Sequence, residues 1–243
     1  MPNPFLSVII PAFNEEQRLP RTLAQVLSFL QTQAYPSEIL VIENASHDRT
    51  FQVADVFATQ HHSQQLPIKV LREPVQGKGA AVKRGVFLAR GEYHFMCDAD
   101  LSMPVEEINR FLPPILDEFD IAIASREAPG AVRYNEPVYR HMVGRVFNTL
   151  IRTLALPGLN DTQCGFKCFK SAVARELFEK MTITGWSFDV EILYLAQQHN
   201  FRIVEVAIPW YYNPDSHISV VKDSLQMALD IFKIRFRGRN KQV

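Results

Sequence analysis

The chain has 243 residues, 47% of them hydrophobic, with 26 basic against 26 acidic residues and a formal net charge of zero. It can therefore bury a substantial core, as one domain with an appendage, and its charge balance excludes a global polycation built for nucleic acid. Cys97, Cys164 and Cys168 are odd in number and form no Cys-x-x-Cys pair, which excludes a disulfide framework and a zinc knuckle and fits apolar fillers in a reducing compartment.

Phe5 to Ile10 is an apolar run closed by Pro11 and reads as a strand. Asn14-Glu15-Glu16 opens a helix whose apolar positions, Leu19, Leu23, Val26, Leu27 and Leu30, fall three and four apart. After Tyr35-Pro36, Ile39 to Ile42 forms a second strand ending at Glu43-Asn44. Asp48 is placed to cap a helix running to about residue 60, with Val53, Val56 and Phe57 inward. A third strand spans Pro67 to Leu71; Gly77-Lys78-Gly79 then leads into a helix from Ala80 to Ala89, which Gly91 terminates. The fourth strand starts at Tyr93 and runs into Asp98-Ala99-Asp100, and Pro104 to Glu118 supplies another helix. Ile121 to Ser125 is a fifth strand, ending in Arg126.

Beyond Arg126 the rhythm changes. Glu127 to Glu136 reads as a loop, and Val138 to Leu156 as a long helix with Val143, Phe147, Leu150, Ile151 and Leu154 in its stripe. Gly158 to Asp161 is a turn, and Gly165 to Phe169 alternates as a strand does. Ala172–Glu179 and Ser187–Gln198 are helical, the second capped by Ser187, and Ile203–Ile208 is a strand. The last helix, Ser219–Phe236, sets Val221, Leu225, Ala228, Leu229 and Phe232 inward against an outer row of Lys222, Gln226, Asp230, Lys233 and Arg237.

Strands alternating with helices through Arg126 predict an α/β fold with a mostly parallel sheet covered on both faces. Such sheets bind ligands beyond the C-terminal ends of their strands. Four of those ends carry polar groups: Asn14-Glu15, Glu43 with Asp48, Asp98 with Asp100, and Arg126. Two carboxylates one residue apart at a strand end suit a divalent cation, Mg2+ or Mn2+, with a phosphate completing its shell. The plain alternative is an acidic turn in which Asp98 accepts backbone hydrogen bonds. Lys78 between glycines at a helix start is a phosphate site in principle, or else a solvated turn lysine. The spacing matches neither a Walker loop nor a dinucleotide fingerprint.

The segments Ser7-Val8-Ile9-Ile10-Pro11-Ala12-Phe13-Asn14-Glu15-Glu16, Gly77-Lys78-Gly79-Ala80-Ala81-Val82-Lys83-Arg84-Gly85 and Asp98-Ala99-Asp100-Leu101-Ser102 share a pattern. So do Ala124-Ser125-Arg126, Asp161-Thr162-Gln163-Cys164-Gly165-Phe166-Lys167 and Trp186-Ser187-Phe188-Asp189-Val190-Glu191. Together they resemble the inverting family 2 glycosyltransferases, within them the branch that makes polyprenyl- or dolichyl-phosphate sugars.

The resemblance implies a GT-A fold: a Rossmann-like three-layer sandwich with a C-terminal acceptor-side extension. Residues 1–126 would bind a nucleotide diphosphate sugar, 127–218 would face the acceptor, and 219–243 would form an amphipathic basic helix and tail. It implies metal-dependent transfer of a hexose, glucose from UDP-glucose, to a polyprenyl phosphate. Pro11, Ala12, Glu15 and Glu43 would contact base and ribose. Asp98 and Ala99 would flank them, Asp100 would carry the metal with help from Asp98, and Lys78 would meet phosphate. Asn44 and Ala45 depart from the family's Val-Asp-Asp-Gly-Ser-x-Asp pattern, in which Glu43 stands for an aspartate. Gln163 and Lys167 would border sugar and acceptor.

A hydroxyl acceptor would need Asp189 as general base, whereas a phosphate acceptor is already ionised and needs cations, for which Arg126 and Arg140 are the candidates. Both acceptors stay open, as does a non-catalytic nucleotide-sugar binder. His217 stands where the branch usually has a lysine and would meet the diphosphate.

No apolar run approaches the roughly 20 residues that span a bilayer, and strand-like sequence by Phe5 leaves no room for a signal peptide. The expected location is cytoplasmic, with peripheral contact to an anionic membrane through the tail, where Phe232, Ile234 and Phe236 interleave with Lys233, Arg235, Arg237 and Arg239. Self-association is left open.

Overall fold

The structure, a computed structural model, describes residues 3–61, 63–213, 227, 229–231 and 233–235. Among them the strands are β1 (Leu6–Ala12), β2 (Ser37–Glu43), β3 (Ile68–Arg72), β4 (Tyr93–Cys97), β5 (Ile121–Ser125), β6 (Val132–Tyr134), β7 (Phe166–Lys170), β8 (Ile203–Ala207) and β9 (Pro209–Tyr211). Seven form one sheet in the order β3-β2-β1-β4-β7-β5-β8. All its pairings are parallel except those of β7, which runs antiparallel between β4 and β5. The two-residue alternation of strand side chains feeds two cores: Leu6, Val8 and Ile10 of β1 face one helix layer and Ile9 the other.

Helices α1 (Leu19–Gln31) and α2 (Thr50–Gln60) cover the first face, and α1 buries the predicted Leu19, Leu23, Val26, Leu27 and Leu30. On the second face lie α3 (Lys78–Leu88), the C-terminal end of α4 (Val138–Leu154), α5 (Ser171–Lys180) and α6 (Phe188–Gln198). This is the expected three-layer α/β sandwich. It sets the C-terminal ends of β1, β2, β4 and β5 along one rim.

Several local expectations are corrected. Residues 104–118 do not form a full helix; only Val105–Phe111 coils, as a 3-10 helix, because Pro113 and Pro114 cannot continue a hydrogen-bonded ladder. The loop 127–136 contains β6, which pairs in parallel with β9 through Val132↔Pro209 and Tyr134↔Tyr211. Helix α3 starts at Lys78 rather than Ala80 and ends at Leu88. Gly91 serves another need: a Cβ there would lie 2.6 Å from the Ser7 nitrogen, so it allows close approach to β1. In α2 the inward residues are Thr50, Ala54 and Phe57, whereas Val56 is 54% exposed.

The final helix is phased differently from the expected stripe. Met227, Ile231 and Ile234 are buried with Asp230, and Leu229 is half-exposed. Asp230 tolerates burial because it accepts hydrogen bonds from Ser187 (3.1 Å) and Lys233 (2.9 Å). Ile234 therefore packs in the core and offers nothing to a lipid surface, while Val221, Leu225, Ala228 and Phe232 fall outside the described residues. Among the described residues no helix is long and apolar enough to cross a membrane.

The sheet also buries His94, on β4 between Ser7 of β1 and Phe169 of β7. Burial, reinforced by Arg175, pushes its pKa down to about 4. An ordinary histidine in the unfolded chain takes a proton near pH 6.5, so acid favours unfolding between those two values. Between pH 7.5 and pH 5 the native state should lose about 2 kcal/mol from this group alone. Urea unfolding of His94→Leu should lack that part of the loss; an identical pH dependence in the variant would refute the assignment.

Candidate active site

At one end of the rim, Pro11 and Ala12 close β1 and Glu43 closes β2 in register with Ala12. The Glu15 carboxylate is gripped by both arms of Arg18, each at 2.7 Å, and its backbone N–H donates to Thr50 Oγ1 at 2.6 Å. Asp48 accepts the N–H groups of Thr50 (2.9 Å) and Glu16 (3.1 Å), tying α2 to the turn after β1. Glu43 is buried and accepts the Ser46 N–H, with Arg72 at 3.8 Å. A cleft of 370 Å³ opens here, lined by Glu43, Ser46, Asp48, Phe51, Arg72 and Glu73. That volume lies within the range of small-ligand pockets.

Ala45 adopts φ 53°, the left-handed region, at the place where the related pattern has glycine. A Cβ there costs roughly 1 kcal/mol, so the backbone of that turn is kept although the residue suited to it is not.

The centre of the site lies where β4 and β7 meet. Antiparallel register sets Cys97 opposite Phe166, which brings Gly165 beside Asp98. A Cβ on Gly165 would fall 1.8 Å from Asp98 Oδ2, so the carboxylate rests directly on that glycine. Asp98 Oδ1 is 2.7 Å from the Lys78 ammonium, which also stands over the Trp186 ring at 5.6 Å. Burial works against charge on Lys78, but Asp98, Asp189 and Asp100 outweigh it and leave the ammonium harder to deprotonate than usual.

Asp100 accepts the Ser102 N–H at 3.1 Å, and Leu101 beside it adopts φ 44°. Thr22 Oγ1 of α1 holds the Ala99 carbonyl at 2.5 Å. Burial and the neighbouring Asp98 push the Asp100 carboxyl upward, and among the described residues it has no ion-pair partner.

Asp189, at the start of α6, is 4% exposed and pairs with Lys167 at 2.8 Å. Burial raises the Asp189 carboxyl, against the pull of Lys167 and Lys78. Lys167, 1% exposed, also donates to the Cys164 carbonyl at 2.6 Å. Glu191 points elsewhere and accepts from Thr182 and Ile183 (3.0 and 2.7 Å to backbone N–H). Ser187 is the N-cap by position, yet it gives α6 no cap hydrogen bond; its hydroxyl donates to Asp230.

Past the end of β5, Arg126 is forked onto Asp161 through Nε (2.6 Å) and Nη2 (2.9 Å), and its backbone N–H donates to the same carboxylate. This holds Asp161 down at about 2 although burial opposes it, and raises Arg126 further beyond reach of titration. The Arg126 guanidinium also lies over the Trp210 ring at 5.5 Å. Gln163 is half-buried, with its amide 3.9 Å from Met227 Sδ. Arg140 is on α4, but its side chain, like His217, lies outside the described residues.

The fold thus gathers Lys78, Asp98, Asp100 and Asp189 into one cluster and sets Arg126 apart with its own partner. Three partners are not assigned from sequence: Lys167 for Asp189, Asp161 for Arg126, and Asn44 for the turn at Gly77. Lys167 is expected to border sugar and acceptor; its place amid the apolar strand Phe166-Lys167-Cys168-Phe169 is the signal for the buried pairing found instead. Mg2+ or Mn2+ fits what is there: Asp100 offers a hard oxygen donor with an unbalanced charge, and ions shared with substrate phosphates need only one or two carboxylates. Among the described residues no three His, Cys, Asp or Glu side chains are placed to hold an ion by themselves.

The family model "Glycosyl transferase family 2" matches residues 7–181. The dolichyl-phosphate beta-glucosyltransferase of Dictyostelium discoideum is 36% identical over 97% of this chain and 75% of its own length. The Homo sapiens protein of that name is 32% identical, over 97% and 76%. Among solved structures, glucosyl-3-phosphoglycerate synthase from Mycobacterium tuberculosis in complex with UDP superposes with a TM-score of 0.66 at 18% identity, over 96% of this chain and 79% of that one. Its complex with Mn2+, UDP-glucose and phosphoglyceric acid gives 0.66 at 16%, over 96% and 79%. At that identity the likeness speaks for the fold alone.

Proposed function

Because the chain belongs to glycosyl transferase family 2 and is a nucleotide-sugar glycosyltransferase, we propose that it transfers glucose from UDP-glucose to a polyprenyl phosphate of the dolichyl type, inverting the anomeric carbon. In this reading residues 1–126 bind the donor and 127–218 the acceptor, with the base end in the cleft beside Glu43 and the diphosphate beside Lys78. Asp100, assisted by Asp98, would hold Mg2+ or Mn2+, which when bound neutralises charge on the departing diphosphate. Lys78 brings a fixed positive charge to the same place, kept charged by the carboxylates around it. Lys167 holds the Asp189 carboxylate in one orientation from inside the protein.

The observation that carries the acceptor class is the buried Lys167–Asp189 pair. A general base must be free to take a proton, and Oδ1 of Asp189 already faces an ammonium at 2.8 Å. A phosphate oxygen attacks without that help. Arg126, still edged toward solvent, and Arg140 are the cations proposed to meet it. A hydroxyl acceptor is the second reading, favoured by the raised Asp189 carboxyl.

Asp189→Asn separates them. With a short polyprenyl phosphate in detergent and UDP-glucose, the variant should keep the wild-type shape of the pH–rate profile and lose roughly tenfold in rate through positioning. Loss of the acid limb of that profile, with rates down by about 10²–10⁴, would instead establish Asp189 as base. A lipid acceptor also brings the enzyme to a membrane surface. Exposed Lys233 and Arg235 are the described part of the basic tail proposed to meet it there, on the cytoplasmic face.

A further inference from the structure

We infer that Asn44 is a positioning residue whose side-chain amide sets the turn carrying Lys78. This rests on the reading of Lys78 as a donor-diphosphate residue. Asn44 follows β2 and is 3% exposed. Its Nδ2 donates to the carbonyls of Glu73 (3.0 Å) and Val75 (2.7 Å), and its Oδ1 accepts the Gly77 N–H at 2.7 Å. Both amide hydrogens are used inside the protein, so none is left for a ligand. The side chain braces the reversal by which the chain leaves β3 and enters α3.

The far side of that turn is equally confined. Gly77 has φ 135°, and a Cβ there would lie 2.2 Å from the Thr184 carbonyl oxygen. That carbonyl accepts the Ala80 N–H at 3.2 Å, and the segment before it is held by Glu191 through Thr182 and Ile183. Asn44 from the β2 side and Glu191 from the α6 side therefore grip the first turn of α3. The next residue along is Lys78, whose ammonium meets Asp98 at 2.7 Å.

An amide is required for this brace. An aspartate, which the related pattern carries here, would still accept from Gly77 but would present charge and no hydrogens to two carbonyl oxygens. In this chain the position supports the phosphate turn from behind instead of offering a carboxylate to the ligand.

The test is calorimetric titration of the full chain with UDP and Mg2+ from pH 5.5 to 8, for wild type, Asn44→Asp and Asn44→Ala. The charged groups facing position 44 are Glu43 and Glu73, with Arg72 and Arg84 each 3.8 Å from one of them. All three proteins share these groups, so the wild-type profile removes their contribution. Asn44→Asp should bind UDP roughly tenfold more weakly at pH 8, where an ionised carboxylate offers no hydrogen to either carbonyl. Asn44→Ala should be weak at every pH. Wild-type affinity in either variant at pH 8 overturns the assignment. If wild type itself fails to bind UDP, the functional reading falls instead. Amide exchange over residues 73–81 then decides the brace: relative to wild type it must quicken in both variants at pH 8.

Discussion

Asp100→Asn should lower glucose transfer to a polyprenyl phosphate by roughly a thousandfold or more while leaving the fold intact. The turn that holds this side chain does not depend on its charge. Ser102 donates to one carboxylate oxygen, and an amide oxygen accepts that hydrogen bond equally well. The Ala99 carbonyl is fastened by Thr22, and the Leu101 N–H reaches back to the Asp98 carbonyl at 3.4 Å. What the substitution removes is a negative charge in a half-buried place beside a second carboxylate, where burial and Asp98 both oppose it.

The free protein should consequently melt no lower than wild type, because a carboxylate without an ion-pair partner among the described residues contributes more to function than to stability. Wild type should gain melting temperature when UDP and Mn2+ are added together, and the variant should gain much less. A variant within tenfold of the wild-type rate would refute the role assigned to Asp100.

Gly165→Ala should be nearly as damaging, although the residue bears no chemistry. Its added methyl would meet Asp98 Oδ2 at 1.8 Å and Cγ at 2.2 Å, far inside contact distance. Two parts could yield, and both matter. If Asp98 swings away, the 2.7 Å pair with Lys78 breaks and the ammonium loses its nearest anchor. If β7 moves instead, it must slide between β4 and β5, where Phe166 and Cys168 are wholly buried in register with Cys97 and Ala122.

Overpacking of that kind costs about 1–3 kcal/mol, and an ångström of misplacement at a reacting centre costs about a hundredfold in rate. Expected are a melting point lower by several degrees, UDP binding weakened and kcat/KM down roughly a hundredfold. Binding and turnover equal to wild type in a normally folded variant would show that Asp98 need not stay where it is.

Much of this was legible beforehand because it is local. Apolar runs closed by proline or acid give the strands, and three-and-four spacing gives α1 with the same five leucine and valine positions that the structure buries. The polar strand ends at Glu15, Glu43, Asp98 and Arg126 were readable for the same reason, since strand ends in a parallel sheet face one rim. Where local signals conflict, periodicity alone misplaces the element. Residues 104–118 looked periodic, but Pro113 and Pro114 outweigh periodicity. The last helix carries two overlapping apolar rows, and only the partners of Asp230 select the one that faces inward.

The composition of the chain and the order of its residues were enough to indicate the α/β class, the rim formed by the strand ends and the acids that stand there, since each of these follows from short-range pattern. The pairing of those groups was settled by long-range contact. Strand β7, inserted antiparallel between β4 and β5, is what lays Gly165 against Asp98 and sends Lys167 inward to meet Asp189. No periodicity announces an ion pair between a strand and a helix that follow one another at a distance. Burial makes the pair mandatory, because a lysine and an aspartate taken out of water must find each other or lose their charge.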